Sequence, residues 1–114
     1  MNTEKMRATV RVGETALGGL DGGSWEGTVL RRGSTGPAVV IIQVELNRIS
    51  QNYPAIPKIS PVDGIFGAQT EAAVRKFQQV FGLTEDGIVG KATWYKIKSI
   101  FNGVKGLAEL DAEG

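Results

Sequence analysis

The strongest constraint on this chain is internal. The segment Asp63-Gly64-Ile65-Phe66-Gly67-Ala68-Gln69-Thr70 returns twenty-three positions later as Asp86-Gly87-Ile88-Val89-Gly90-Lys91-Ala92-Thr93, with Asp, Gly, Ile, Gly and Thr in register. An Asp-Gly pair marks a turn, because the aspartate side chain accepts backbone N–H bonds locally and glycine takes positive φ without a Cβ penalty. The Ile/Phe and Ile/Val pairs are then expected to staple each turn to the core. Gly67 and Gly90 would allow a tight start to the following helix, and the Thr70 and Thr93 hydroxyls would satisfy an orphan backbone group in its first turn. Two superposable turns of this kind would wall a groove between the second and third helices.

Apolar periodicity supplies the helices. Val39, Ile42, Leu46 and Ile49 recur at helical spacing after Gly33-Ser34-Thr35-Gly36-Pro37, which offers loop, cap candidates and a proline suited to the first helical position, so a helix is predicted from near Pro37 to near Ser50. Thr70, Ala73, Val74, Phe77 and Phe81 trace a second helix from about Ala68 to Val80, with Gly82 as its left-handed cap. Trp94, Ile97, Ile100 and Phe101 mark a third, expected to stop around Asn102-Gly103. Between the first two helices Pro54, Pro57 and Pro61 forbid helix, leaving an extended connection pinned by Tyr53, Ile56 and Ile59. The predicted fold is all-α, a compact three-helix bundle. The first helix carries a second apolar set, Val40, Ile41 and Val44, to be covered by the N-terminal segment, the next loop or a partner.

The chain divides into a glycine-rich leader over 1–29, a helical body over 30–103 and an acidic tail over 104–114, in which a short helical extension is open. The leader reads as linker, or as a fragment of a neighbouring domain with a short strand at Arg7 to Val12. Met1 to Val12 has no apolar segment of secretory type, so an export signal is expected to lie outside this sequence. No run approaches the ~20 apolar residues needed to cross a bilayer, and no membrane insertion is expected.

Composition removes several chemistries. The chain has no histidine and no cysteine, which excludes histidine-based triads, thiol nucleophiles, disulfides and the usual zinc ligands. A net charge of +1 supplies little of the counterion-release energy that drives nucleic-acid binding, so no nucleic-acid partner is expected. Glu85 with Asp86, or Asp63 with Glu71, offers a carboxylate pair, but the two aspartates are needed by their turns. The chain reads as a non-enzyme with no cofactor and no metal.

Leu30-Arg31-Arg32-Gly33-Ser34-Thr35-Gly36, Val39, Ile42-Gln43, Leu46-Asn47, Asp63 to Gly67, Thr70, Ala73-Val74, Phe77-Gln78, Gly82-Leu83, Asp86-Gly87, Val89-Gly90 and Thr93-Trp94 together resemble peptidoglycan-binding domain family 1. The resemblance covers about Leu30 to Ile100. It implies a closed three-helix module that binds bacterial cell-wall peptidoglycan without cutting it, as a monomer, and targets an associated, typically lytic, domain to the wall or spore cortex. Location outside the cytoplasm follows from the same resemblance. The alternative is a protein–protein module in a wall or spore assembly. The long connection Asn52 to Pro61 and the glycine-rich leader depart from the family pattern.

The resemblance fixes no ligand contacts, so candidates come from the matching turns and from side chains suited to sugars and stem peptides. From the turns these are Asp63, Gly64, Phe66, Gly67 and Thr70, then Asp86, Gly87, Gly90 and Thr93. Trp94, Tyr95 and Tyr53 offer aromatic faces to a pyranose, and Arg75, with Arg32 and Lys91, offers a partner to stem-peptide carboxylates. Trp94 also sits on a core stripe. Gln43 and Gln78 are read as bonding the backbone of neighbouring loops.

Overall fold

The computed structural model describes Trp25 and residues 27–113, with side chains through residue 106. Three helices make up the body: α1 Pro37–Ser50, α2 Ala68–Val80 and α3 Lys91–Glu113. The described residues are all-α, and α1 is the hub against which both other helices pack. The possible strand at Arg7 to Val12 lies outside the described residues.

Pro37 stands at the start of α1, where its missing N–H costs nothing. The helix takes Gly36, at φ 118°, as its N-cap with no side-chain cap bond. Ser34, expected as a cap candidate, instead accepts the Arg31 N–H at 3.0 Å and closes its own turn. Val39, Ile42, Leu46 and Ile49 are buried as their spacing predicts. The second apolar set is divided. Ile41 packs on the core, Val40 lies against Gly64, and Val44 stays 48% exposed.

Helix α2 spans the predicted residues and ends in a Schellman arrangement. Gly82 takes φ 75°, and the Leu83 N–H donates to the Gln78 carbonyl at 2.8 Å. The proline-bearing connection is anchored by buried Ile56 and Ile59, and by Asn47, whose amide exchanges two bonds with the Ile59 backbone at 2.7 and 2.8 Å. Tyr53 sets its ring edge-on to Phe81 at 4.9 Å.

The expected stop of α3 near Asn102-Gly103 is corrected, since the helix continues to Glu113. Val104 extends the stripe of Trp94 and Ile97 and is buried on the core. The Arg48 guanidinium donates to the Val104 carbonyl at 2.6 Å and to Asn52 Oδ1 at 2.8 Å, tying the end of α1 to this part of α3. These interactions offset the ~1 kcal/mol by which a glycine disfavours a helix interior relative to alanine. Sequence reasoning also overlooked Glu45 and Lys98, which form an interior ion pair at 2.9 Å between α1 and α3, with the ammonium 5.0 Å from the centre of the Trp94 ring system.

No strand occurs among the described residues, yet residues 30–36 act as a strap across both Asp-Gly turns. Leu30 exchanges backbone bonds with Val89 at 2.8 and 3.1 Å. Further along, the Phe66 N–H donates to the Ser34 carbonyl at 2.9 Å, and the Gly36 N–H donates to the Gly64 carbonyl at 3.0 Å.

Candidate functional site

Each turn is organised by a buried glutamine from the preceding helix. In the first, Gln43 Nε2 donates to Asp63 Oδ1 at 3.3 Å, to the Ile65 carbonyl at 3.0 Å and to Thr70 Oγ1 at 3.0 Å, while its Oε1 accepts the Gly64 N–H at 2.9 Å. In the second, Gln78 Nε2 donates to Asp86 Oδ1 at 2.9 Å, to the Ile88 carbonyl at 3.0 Å and to Thr93 Oγ1 at 3.1 Å. Its Oε1 accepts the Gly87 N–H at 2.9 Å and also the Asp86 N–H at 3.0 Å. The aspartates close the turns as predicted, accepting the Ile65 and Ile88 N–H groups at 3.0 Å each, and Gly64 and Gly87 take φ 76° and 73°.

The turn chemistry holds Asp86 in its charged form. The Ile88 N–H on its carboxylate is the largest influence and lowers the pKa below the ordinary aspartate value; partial burial opposes this, and the Gln78 amide and Arg75 reinforce it.

Three expectations about the turns change. Only the second residue of each apolar pair staples the core: Phe66 and Val89 are buried, whereas Ile65 is 54% exposed and Ile88 half-buried. The backbone pairings of Leu30 with Val89 and of Thr35 with Ile65 impose strand-like alternation, so neighbouring side chains face opposite ways. Thr70 and Thr93 serve the glutamines and not an orphan group of their own helix. Gly67 and Gly90 are not constrained by crowding, because a Cβ on either would meet nothing within 4 Å.

Two cavities are found on the turns, one at the start of each helix. Asp63, Ile65, Gly67 and Thr70 line one of about 230 Å³, further walled by Ser60 and Pro61. Asp86, Ile88, Gly90 and Thr93 line the other, of about 460 Å³, with Leu83 and Lys91 at its rim. Ile65, Ile88, Ser60, Pro61 and Leu83 were not among the sequence candidates. The alternation of each turn was the signal for the two isoleucines.

The remaining candidates separate. Phe66 and Trp94 are buried in the core. Gly64 and Gly87 are buried beneath their turns, where a Cβ would come 3.0 Å from Val40 Cγ2 and from Glu71 Cγ, respectively. Arg75 lies behind the second turn, donating to the Glu85 carbonyl at 3.2 Å and standing 4.0 Å from Glu71, which also pairs with Arg32 at 2.9 Å. Tyr53 packs on Phe81, away from both cavities. Tyr95 is 42% exposed and accepts the Trp25 N–H at 2.8 Å, beside the Trp25–Trp94 ring contact at 6.0 Å.

Comparison with known proteins places this geometry. Residues 35–97 match the family described as "Putative peptidoglycan binding domain". A stretch of 82 residues is 44% identical to the zinc D-Ala-D-Ala carboxypeptidase of Streptomyces albus G, covering 71% of this chain and 30% of that protein. The spore cortex-lytic enzyme of Bacillus subtilis is 46% identical over 66 residues, 57% of this chain and 20% of that enzyme. The crystal structure of the SleB N-terminal domain superposes with a TM-score of 0.57 at 31% identity, covering 68% of this chain and 99% of that one. Both curated relatives are thus much longer than the stretch they share with this chain. The family match takes in both glutamines, both Asp-Gly turns and both cavities, and the chain belongs to the peptidoglycan-binding domain family.

Proposed function

We propose that this chain holds bacterial peptidoglycan without cutting it and positions an associated lytic domain or assembly on the cell wall or spore cortex. The observation that carries this reading is the coincidence of the family match, residues 35–97, with the residues that build the duplicated turns and their cavities. The matched part is a minor share of both relatives, one named as a zinc D-Ala-D-Ala carboxypeptidase and the other as a spore cortex-lytic enzyme, which supports a role beside a catalytic partner. Against catalysis by the chain itself stands the use of its carboxylates. Asp63 and Asp86 serve their turns, and Glu71 pairs with Arg32.

Co-sedimentation of the 114-residue chain with purified sacculi, read at several salt concentrations and on several wall types, tests the reading. Retention in the pellet without release of muropeptides is the expected result. Absence from every pellet removes the binding role, and release of fragments removes the non-catalytic one.

A second reading, a protein–protein module in a wall assembly, is favoured by the exposed Val40 and Val44 on α1. Replacing both with threonine would then abolish partner capture while leaving sacculus binding intact.

A further inference from the structure

The two glycine pairs in the repeat obey different physics. Gly64 and Gly87 are dictated by the fold, because both take positive φ and both have side chains 3.0 Å from where a Cβ would stand. Gly67 and Gly90 are dictated by nothing within the described residues. Gly67 sits at φ −107° and ψ −159°, extended backbone that any residue adopts, and Gly90 is not left-handed either. A Cβ on either would project into open space. Serine, threonine, asparagine or aspartate would suit the Gly67 N-cap position better, since α2 has no side-chain cap bond there. Bare backbone occurs at the same place in both copies, on the wall of both cavities.

Glycine that neither conformation nor packing requires is explained by close approach of something else to the main chain. We propose that Gly67 and Gly90 are the contact floors of two equivalent subsites, each receiving one secondary amide of a repeating wall polymer. This rests on the peptidoglycan reading above and adds where, how many and which chemical group. Each cavity offers the same set: an aspartate carboxylate to accept an N–H, peptide N–H groups at the helix start to meet a carbonyl oxygen, and the apolar Ile65 or Ile88 beside them. A free carboxylate would be repelled by the aspartate, and a hydroxyl would leave the apolar wall unused. A neutral amide with its substituent meets all three. Acetamido groups along the glycan and peptide bonds in the stem both carry that chemistry.

The test uses the whole chain in three variants, Gly67→Ala, Gly90→Ala and the control Gly103→Ala, whose Cβ also meets open space but lies outside both cavities. The expected result is that Gly103→Ala melts above the wild-type temperature, because alanine at a compatible φ restricts the unfolded chain, while the two cavity variants stay folded and melt within a few degrees of it, since glycine's advantage over alanine at a helix N-cap opposes that gain. Sacculus affinity should fall about tenfold for each cavity variant and stay unchanged for the control. Amide chemical-shift titration with a tetramer of N-acetylglucosamine and, separately, with a synthetic stem peptide should move the Gly67 and Gly90 signals together for one of them, naming the source of the amide. Wild-type binding to sacculi with both cavity variants binding equally well overturns this proposal and leaves the peptidoglycan reading standing. So does loss of the folded state in either variant, which would return these glycines to the fold, or movement of one signal without the other. Failure of the wild-type chain to bind sacculi overturns both.

Discussion

The two Asp-Gly turns reach the same hydrogen-bond pattern from unequal stretches of chain. Twenty residues separate Gln43 from Asp63, and eight separate Gln78 from Asp86. The shorter connection is a Schellman end and a few polar residues; the longer one carries three prolines, buries Ile56 and Ile59, and is clamped by Asn47. What is held constant is a glutamine facing an Asp-Gly turn and a threonine. The carboxamide suits this task because it donates and accepts at once, so a single side chain completes a turn that backbone alone would leave unsatisfied. The connecting chain is then free to vary, and in the first copy it has become a wall of the cavity.

Removing each glutamine is the most direct way to break this equivalence. Gln43→Ala and Gln78→Ala each take the glutamine from a buried glycine N–H and a buried threonine hydroxyl, at about 1–3 kcal/mol apiece, and are expected to unfold much of the population in a urea titration. Gln78→Ala should be the worse by less than about 1 kcal/mol, since only Gln78 accepts the additional Asp86 N–H, and that group keeps the Thr84 carbonyl at 3.1 Å. Equal costs would mean that this bond contributes nothing.

A smaller effect separates the left-handed glycines. Gly64→Ala and Gly87→Ala both incur about 1–2 kcal/mol for a left-handed alanine. At Gly64 the obstructing atom is a methyl of Val40, a β-branched side chain on a helix that cannot rotate freely, whereas at Gly87 it belongs to the longer Glu71 and Arg75. Gly64→Ala should therefore lower the melting temperature further, and the reverse order would show that the Arg75–Glu71 pair is the stiffer neighbour.

The smallest effect is electrostatic. Asp86 has a folded pKa below its unfolded value, so its contribution to stability is present above the unfolded aspartate pKa of about 3.9 and is lost as the pH falls through the folded value. Asp86→Asn should flatten the acid limb of stability against pH, measured by thermal melts between neutral and acidic pH. An unchanged acid limb would assign the pH dependence to other carboxylates.

Much of this architecture was legible in the chain because it is local. The stripe Val39-Ile42-Leu46-Ile49 and the pair Ala68 and Gly82 marked two helices with their ends, and a glutamine within an apolar stripe announced a buried polar task. What escaped depends on residues distant in sequence. The passage of α3 through Gly103 is supported by Arg48, fifty-six positions from its acceptor Val104, and the Glu45–Lys98 pair spans fifty-three. The repeat reveals that the two turns are alike, but not that each has a cavity at the start of its own helix. Ile65 and Ile88 were placed inward because each apolar pair was taken as a unit, when the strap allows only one of each pair to face the core.

That strap also shows that the body's contacts reach beyond the matched stretch. Family similarity starts at residue 35, but Leu30 is buried and its backbone holds Val89, while the Gly33 N–H reaches the Phe66 carbonyl. A fragment trimmed to the matched boundaries would keep α1 and α2 but cut α3 after Ile97, losing buried Val104, and would shed the backbone clasp on the second turn. Anyone transplanting this module to another protein should therefore make the graft before Trp25, which rests on Trp94 and Tyr95, so that the incoming polypeptide joins a segment the domain already grips.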